Sequence, residues 1–138
     1  MIIEKIDDFD SAMLGVKVTV IKENGFYGEI STYGNIGRVS LSSAANGINC
    51  FISNPTQEYS FELIDGRLGS NSSIIITLFP PDSKGYIRVQ IDAEVDVNNQ
   101  KKENYSLQFL SEWGKVEVFE KKLKSFSEKG GINDIKLN

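Results

Sequence analysis

One long stretch, from Gly85 to Val97, shows strict alternation of apolar and polar residues. Its apolar positions are Ile87, Val89, Ile91, Ala93, Val95 and Val97, and between them lie Arg88, Gln90, Asp92, Glu94 and Asp96. A period of two is typical of a β-strand with one face against a core and the other face in solvent. We therefore predict a long antiparallel strand here, around which the rest of the chain is organised.

The clearest helical pattern follows Ser111. Apolar residues recur there at spacings of three and four: Trp113, Val116, Phe119, Leu123 and Phe126. This spacing predicts an amphipathic helix over Glu112–Glu128, with Ser111 as N-cap and Gly130-Gly131 after its end. We expect the apolar stripe, Trp113 included, to pack in the core.

Turn residues divide the first part of the chain. Asn24-Gly25 predicts a tight hairpin, and further reversals are predicted at Tyr33–Gly37 and Asn46-Gly47. The segments between these turns are predicted strands: Val16–Val20, Phe26–Ile30, Ile36–Ser42 and Ile48–Ser53. The residues around Ile2–Ile6 predict a short edge strand or a docked arm.

Further strands flank the alternating stretch. Tyr59–Leu63 alternates, and Ser72–Phe79 contains three consecutive isoleucines, which predict a strand buried on both faces and ended by Pro80-Pro81. Residues 98–104 are polar and predict an exposed loop. The strand after this loop is expected to direct Tyr105, Leu107 and Phe109 inward, and Ile132, Ile135 and Leu137 suggest a last short strand.

These elements predict an α+β fold. We expect a mostly antiparallel sheet of about eight strands, either strongly curved or split into a two-layer sandwich, with one C-terminal helix packed on it. A chain of 138 residues with 40% hydrophobic content suits a single domain over residues 1–138.

The charge balance narrows the choice of partners. There are 19 acidic and 15 basic residues and a net charge of −4, with no basic field that would attract nucleic acid. No apolar run is long enough to cross a bilayer. The single cysteine makes no internal disulfide, and the first residues lack the features of a secretory signal, so we expect a cytoplasmic protein without direct contact to nucleic acid or membrane.

The sequence contains few candidate catalytic residues. The chain has no histidine, which removes the commonest general base and most zinc sites. Cys50 lies in an apolar run and is predicted to be a buried structural residue. Asp96-Val97-Asn98 begins like a calcium loop, but Lys101 stands at the position of the required glycine and Leu107 at that of the glutamate. We therefore predict neither an enzyme nor a cofactor or metal site.

The three carboxylates of the alternating stretch are the best functional candidates. Asp92, Glu94 and Asp96 project from one face of the strand at intervals of roughly 7 Å, so they repel one another unless a cation compensates them. Either a neighbouring strand or solvent provides that compensation, or a basic partner protein does. We take these three acids, with Arg88 on the same face, as candidate partner-binding residues. A third interpretation is that two of these acids form a catalytic pair like that of a glycosidase, but no cluster of aromatic residues indicates a sugar-binding cleft.

The second half of the chain resembles a known class of proteins. The strand Tyr86–Glu94, a polar loop, Leu107-Gln108-Phe109, the helical stripe and the glycine-closed return strand are together similar to the layout of small bacterial immunity proteins of contact-dependent inhibition and other polymorphic-toxin systems. The likeness covers residues 85–137 and contains no diagnostic motif, so no functional residue is transferred from it. It implies a cytoplasmic inhibitor that binds one cognate toxin domain, often a nuclease. The alternative is a structural or carbohydrate-binding β-module of a larger assembly.

Overall fold

In a computed structural model, residues 1–23, 27–69, 71–98 and 101–138 are described, and they form an α+β fold. The strands are β1 Ile2–Asp7, β2 Met13–Glu23, β3 Tyr27–Gly37, β4 Tyr59–Ile64, β5 Ser72–Leu78, β6 Tyr86–Asn98, β7 Lys101–Glu112 and β8 Asp134–Lys136. The helices are α1 Arg38–Ser53 and α2 Trp113–Ser127, and a 3₁₀ turn occupies Gly66–Leu68. Neither α1 nor α2 is long and apolar enough to cross a membrane.

The strands form two separate antiparallel sheets. The first sheet has the order β3-β2-β1-β8 and the second has the order β4-β5-β6-β7. The prediction of about eight antiparallel strands is confirmed, whereas the alternative of one strongly curved sheet is wrong. The prediction for the first strand is also wrong, because β1 pairs with β2 on one side and with β8 on the other and is not an edge.

One hydrophobic cluster includes residues from both sheets and both helices. The sheets are also joined by polar contacts near β3. The hydroxyls of Thr32 on β3 and Ser72 on β5 lie 2.7 Å apart, and the amide of Asp65 donates to the carbonyl of Asn35 at 2.9 Å. These bonds satisfy polar groups at the place where the two sheets meet.

The organising strand is confirmed as β6. It pairs with β5 and β7, and its apolar side chains Ile87, Val89 and Ile91 are at most 3% exposed. The loop predicted over residues 98–104 is wrong for residues 98 and 101–104, because β7 already begins at Lys101 and pairs there with Asn98, and residues 99 and 100 of that loop lie outside the described residues. The two long strands therefore form one extended hairpin.

The C-terminal helix is also confirmed. Val116, Phe119, Leu123 and Phe126 are at most 1% exposed, while Trp113 is half-buried against the core and donates its indole N–H to Glu117. The predicted cap is wrong. Glu112 stands at the N-cap without a side-chain bond, and the Ser111 hydroxyl instead donates to the Asn138 carbonyl at 2.8 Å.

A second helix, α1, replaces the predicted strands near Ile36–Ser42 and Ile48–Ser53. The turn predicted at Tyr33–Gly37 is part of β3, and the turn predicted at Asn46-Gly47 lies inside α1. The buried side chains of α1 recur with helical spacing: Arg38, Leu41, Ala44, Ala45, Ile48 and Phe51. Burial of this stripe outweighs the low helix propensity of Asn46 and Gly47.

Close packing explains the glycine inside this helix. A Cβ atom at Gly47 would overlap the ring of Tyr59 on β4, so only glycine lets the strand approach the helix this closely. Cys50 lies on the solvent side of the same helix. It is exposed, so the prediction of a buried cysteine is wrong. Ile48, two positions before it, is buried because it belongs to the inward-facing stripe.

Three smaller predictions differ from the structure in exposure or position. Ile75 is 41% exposed, so the isoleucine strand β5 has one open face and is not buried on both. Tyr105 is 40% exposed, whereas Leu107 and Phe109 are partly buried against the core as expected. The hairpin turn predicted at Asn24-Gly25 lies outside the described residues.

A buried arginine joins distant segments of the chain. Arg38 is 8% exposed, and its guanidinium donates to the Asp8 carboxylate at 2.7 Å and to the Asp10 carbonyl at 2.7 and 2.9 Å. The other oxygen of that carboxylate accepts from the amide of Gly130 at 2.9 Å. The loop between β1 and β2, the start of α1 and the segment after α2 are thereby fixed to one another.

Replacement of Phe119 by alanine tests the packing of α2. We expect Phe119→Ala to lower the free energy of unfolding by about 3–5 kcal/mol, since it empties a fully buried aromatic site. Val118→Ala is the matched control, because Val118 is 50% exposed on the same helix and its loss should change stability little. Equal urea midpoints for the two variants would contradict this account of the core.

Acid unfolding tests the Arg38 contact. The Gly130 amide, followed by Arg38, holds the pKa of Asp8 below its usual value. Its stabilising contribution is therefore complete above the unfolded pKa of about 4 and is lost as the pH falls through the lower folded pKa. We expect Asp8→Asn to lower the urea midpoint at pH 7 and to flatten its decline on acidification. Asp134→Asn, at an exposed position of β8, should keep the steeper parental decline.

Candidate protein-binding surface

The polar side of β6 forms the centre of an open surface. Because side chains alternate along a strand, Arg88, Gln90, Asp92, Glu94 and Asp96 all point away from the core. Their neighbours on β7, Asn104, Ser106 and Gln108, are exposed, and Ile75 on β5 is 41% exposed. We call this side of the second sheet the outer face.

The strand register places residues of the outer face in rows. Asp92 lies opposite Ile75 and Ser106, and Glu62 on β4 lies opposite Ile75 from the other side. Glu94 lies in the next row, opposite Ser73 and Asn104. Since neighbouring strands are about 4.8 Å apart, Glu62 and Asp92 are roughly 10 Å from each other across β5.

Hydrogen bonds fix the middle of the outer face. The Gln108 amide donates to the Gln90 carbonyl oxygen at 2.8 Å, and the Gln90 amide donates to the Asp92 carboxylate at 2.8 Å. Asp92 is thus held by a neutral group, which leaves its charge uncompensated. This chain of amides positions the carboxylate on the sheet.

One cation compensates the second carboxylate. Lys102 donates to Glu94 at 3.0 Å, and this bond, followed by the charges of Glu94 and Asp96, raises the pKa of Lys102. The lysine side chain is 63% exposed and the glutamate 45%. A neighbouring strand therefore supplies one base to the three acids. Asp96 has no ion pair within the part of the chain that the structure describes.

A second ion-pair group lies beside the first, after β4. Arg67 in the 3₁₀ turn donates to Asp65 at 2.8 Å and reaches Glu62 at 3.4 Å. The bonds from Arg67 hold the pKa of Asp65 below its usual value. The arginine side chain is 79% exposed, so it extends over the surface and does not enter the core.

An open cleft of about 440 Å³ lies between the 3₁₀ turn and the hairpin of β6 and β7. Its charged lining consists of four acids and two bases: Glu62, Asp65, Glu94, Asp96, Arg67 and Lys102. We call this cleft together with Asp92 the acidic end of the outer face. Among the described residues no three acids or cysteines converge closely enough to hold a metal ion.

The structure places Arg88 apart from the predicted acids. Its guanidinium stacks on the Phe79 ring at 4.0 Å, and Leu110, which is 58% exposed, lies opposite it on β7. Arg88 and Asp92 are four positions apart on the strand, which corresponds to about 13 Å. The predicted set is thus divided: the three acids lie together at one end of the outer face, and Arg88 lies toward the other.

The sequence interpretation missed four charged residues of the acidic end, namely Glu62, Asp65, Arg67 and Lys102. Lys102 was assigned to a loop, although a hairpin closed just before it would have placed it opposite Asp96. Glu62 and Arg67 come from outside the hairpin, and only the order of strands brings them to the cleft.

Comparisons with protein-family models, with curated proteins and with solved structures find no match to this chain. The surface itself therefore has to indicate the function. It is a hydrogen-bonded sheet face with an open cleft and an excess of carboxylates.

The pair of Lys102 and Glu94 should add little to stability. Both side chains are largely exposed, so we expect Lys102→Met to leave the midpoint of urea unfolding nearly unchanged. A clearly lower midpoint would mean that Lys102 holds the hairpin together. Lys101→Met, at the adjacent exposed position, is the control for loss of a surface charge.

Proposed function

We propose that this protein is a cytoplasmic immunity protein, which binds a basic cognate toxin domain through the acidic end of the outer face and neutralises it without catalysis. The observation that carries the proposal is the open sheet face on which Asp92 and Asp96 have no ion pair among the described residues. The resemblance of residues 85–137 to immunity proteins gives the proposal its direction.

Charge complementarity supports a basic partner. Nucleases need cationic surfaces to hold a phosphate backbone, and an array of carboxylates occupies such a surface in place of the nucleic acid. The acidic end presents five carboxylates, of Glu62, Asp65, Asp92, Glu94 and Asp96, against Arg67 and Lys102. It therefore retains an excess of negative charge after its internal ion pairs are formed.

The rigidity of the surface also supports a binding role. β6 is bonded to a neighbouring strand on each side, and the amide chain from Gln108 to Asp92 holds the central carboxylate. A surface that is already ordered loses little conformational entropy on association. Binding energy is then not spent on ordering the interface.

The function is tested in cells. The tagged protein is used to capture its partner from a native lysate, and the captured domain is then expressed with and without this chain. The proposal expects the domain alone to arrest growth and co-expression to restore it. A partner that is harmless to cells would overturn the assignment as an immunity protein, even if it binds the outer face.

The location of the interface is tested by charge changes of opposite sign. We expect Asp92→Asn/Glu94→Gln/Asp96→Asn to slow association with the captured partner and to weaken the dependence of the on-rate on salt, because electrostatic attraction acts mainly on encounter. Lys102→Met makes the same surface more acidic and should speed association. Stopped-flow measurements at low and high ionic strength give both quantities.

A matched control separates the outer face from net charge. Glu58→Gln/Glu128→Gln/Asp134→Asn removes three exposed charges elsewhere and should alter the on-rate much less. If the outer-face variant associates as fast as the parent at low salt, the interface lies on another surface. Similar slowing in both triple variants would point to net charge alone.

A further inference from the structure

Strand β7 is a long, unprotected edge. It extends over 12 residues, contains no proline, and lies at the end of the order β4-β5-β6-β7, where it pairs only with β6 among the described strands. An edge of this length leaves a row of N–H and C=O groups without ladder partners. The question is what these groups bind.

The hydrogen bonds of β6 show which backbone N–H and C=O groups of β7 point away from β6 and have no ladder partner. Arg88 accepts from Phe79 at 3.0 Å and Asp96 donates to Asn71 at 2.7 Å, so the even-numbered residues of β6 bond toward β5. Its odd-numbered residues therefore bond toward β7, where the register pairs them with odd-numbered residues such as Leu107. The groups that point outward are those of Lys102, Asn104, Ser106, Gln108 and Leu110, together with the N–H of Glu112, whose carbonyl as N-cap accepts the first bond of α2.

The side chains along this edge are accessible as well. All six of these residues are exposed, and apart from the α2 bond to the Glu112 carbonyl no backbone bond from another described segment reaches them. Leu110 is 58% exposed and Tyr105 is 40% exposed, so the edge also carries apolar surface. Hydrogen-bonding groups and apolar surface thus coincide, as they do where one strand adds to another.

We propose that β7 pairs in antiparallel fashion with β7 of a second copy of this chain, about a two-fold axis beside Leu107. Leu107 then faces Leu107 of the second copy, Tyr105 faces its Phe109, and Lys102 faces its Glu112. A two-fold axis generates each unequal pair twice. The second sheets of the two copies become one sheet of eight strands.

This register is selected by the ends of the strand. It pairs all six open residues, since Lys102 meets Glu112, Asn104 meets Leu110 and Ser106 meets Gln108. A shift of two residues in one direction leaves Glu112 unpaired and places Glu103 against Phe109. A shift in the other direction leaves Lys102 unpaired. Only the central register opposes unlike charges at both ends, which favours the pair.

This inference does not depend on the proposed function. The edge of β7 shares one residue, Lys102, with the acidic end, and the dimer leaves the five carboxylates of that end on the open outer face. If the dimer forms and no toxin is found, the pairing stands; if a toxin binds a monomer, the pairing falls and the proposed function stands.

Proline at the edge provides the first test. The Ser106 amide points outward, so Ser106→Pro leaves the bonds to β6 in place but removes a donor and puts a ring at the pairing edge. We expect the purified parent and Ser106→Ala to sediment as dimers of the 15.4 kDa chain, and Ser106→Pro to dissociate at least about tenfold more readily. A monomeric parent at every concentration overturns the proposal, as does a proline variant that dimerises like the parent.

Disulfide trapping tests the register independently of stability. In a Cys50→Ser background, Leu107→Cys brings two thiols together at a non-hydrogen-bonded pair, where Cα atoms are about 4.5 Å apart, within disulfide range. Mild oxidation should give a covalent dimer. Tyr105→Cys is the control, because its two copies would be about 13 Å apart and should not cross-link. Trapping through Tyr105→Cys but not Leu107→Cys would refute this register. A monomer whose toxin binding is abolished by Ser106→Pro would assign the edge to a strand of the toxin instead.

Discussion

The structure depends on the hydrogen-bonded ladder that strand β6 makes on both of its sides. Because β6 is bonded to β5 and to β7, its alternation divides the second sheet into two chemically different faces. The apolar face carries Ile87, Val89 and Ile91 into the core, and the polar face carries the carboxylates to solvent. A slip of one residue in either ladder would exchange the faces, so burial of the isoleucines also fixes where the acids stand.

The same reasoning explains which parts of the fold the sequence predicts. In β6 and α2 the periodicity is unbroken, so pattern alone predicts both elements and their buried residues. In α1 the pattern is interrupted by Asn46 and Gly47, and local turn propensity conflicts with the helical spacing of Leu41, Ala44 and Ile48. The conflict is resolved by burial of that apolar stripe in the core, and the close approach of Tyr59 on β4 explains why residue 47 is glycine. A local signal that is strong in isolation is thus overridden by a tertiary contact.

The candidate site was predictable to a similar extent and for a related reason. Asp92, Glu94 and Asp96 belong to one strand, and their common face follows from its period. To place Lys102 beside the acids, one has to know where β7 begins and how it pairs with β6. To place Glu62 and Arg67 there, one has to know the order of the strands in the sheet, which no local pattern encodes. Arg88 was placed on the correct face, but its guanidinium packs on Phe79 and lies apart from the three acids.

The closure of the first sheet has a consequence for how the chain folds. Ile3 on β1 pairs with Ile135 on β8, and the Met1 amino group donates to the Leu137 carbonyl at 2.8 Å. These contacts join residues that are almost the whole described chain apart, so their loop-closure entropy is large unless the intervening elements have already folded. The hairpin of β6 and β7, whose contacts are local, is suited to form early. We therefore expect pairing of β1 with β8 to be a late step, and until it occurs one side of β1 is an open edge.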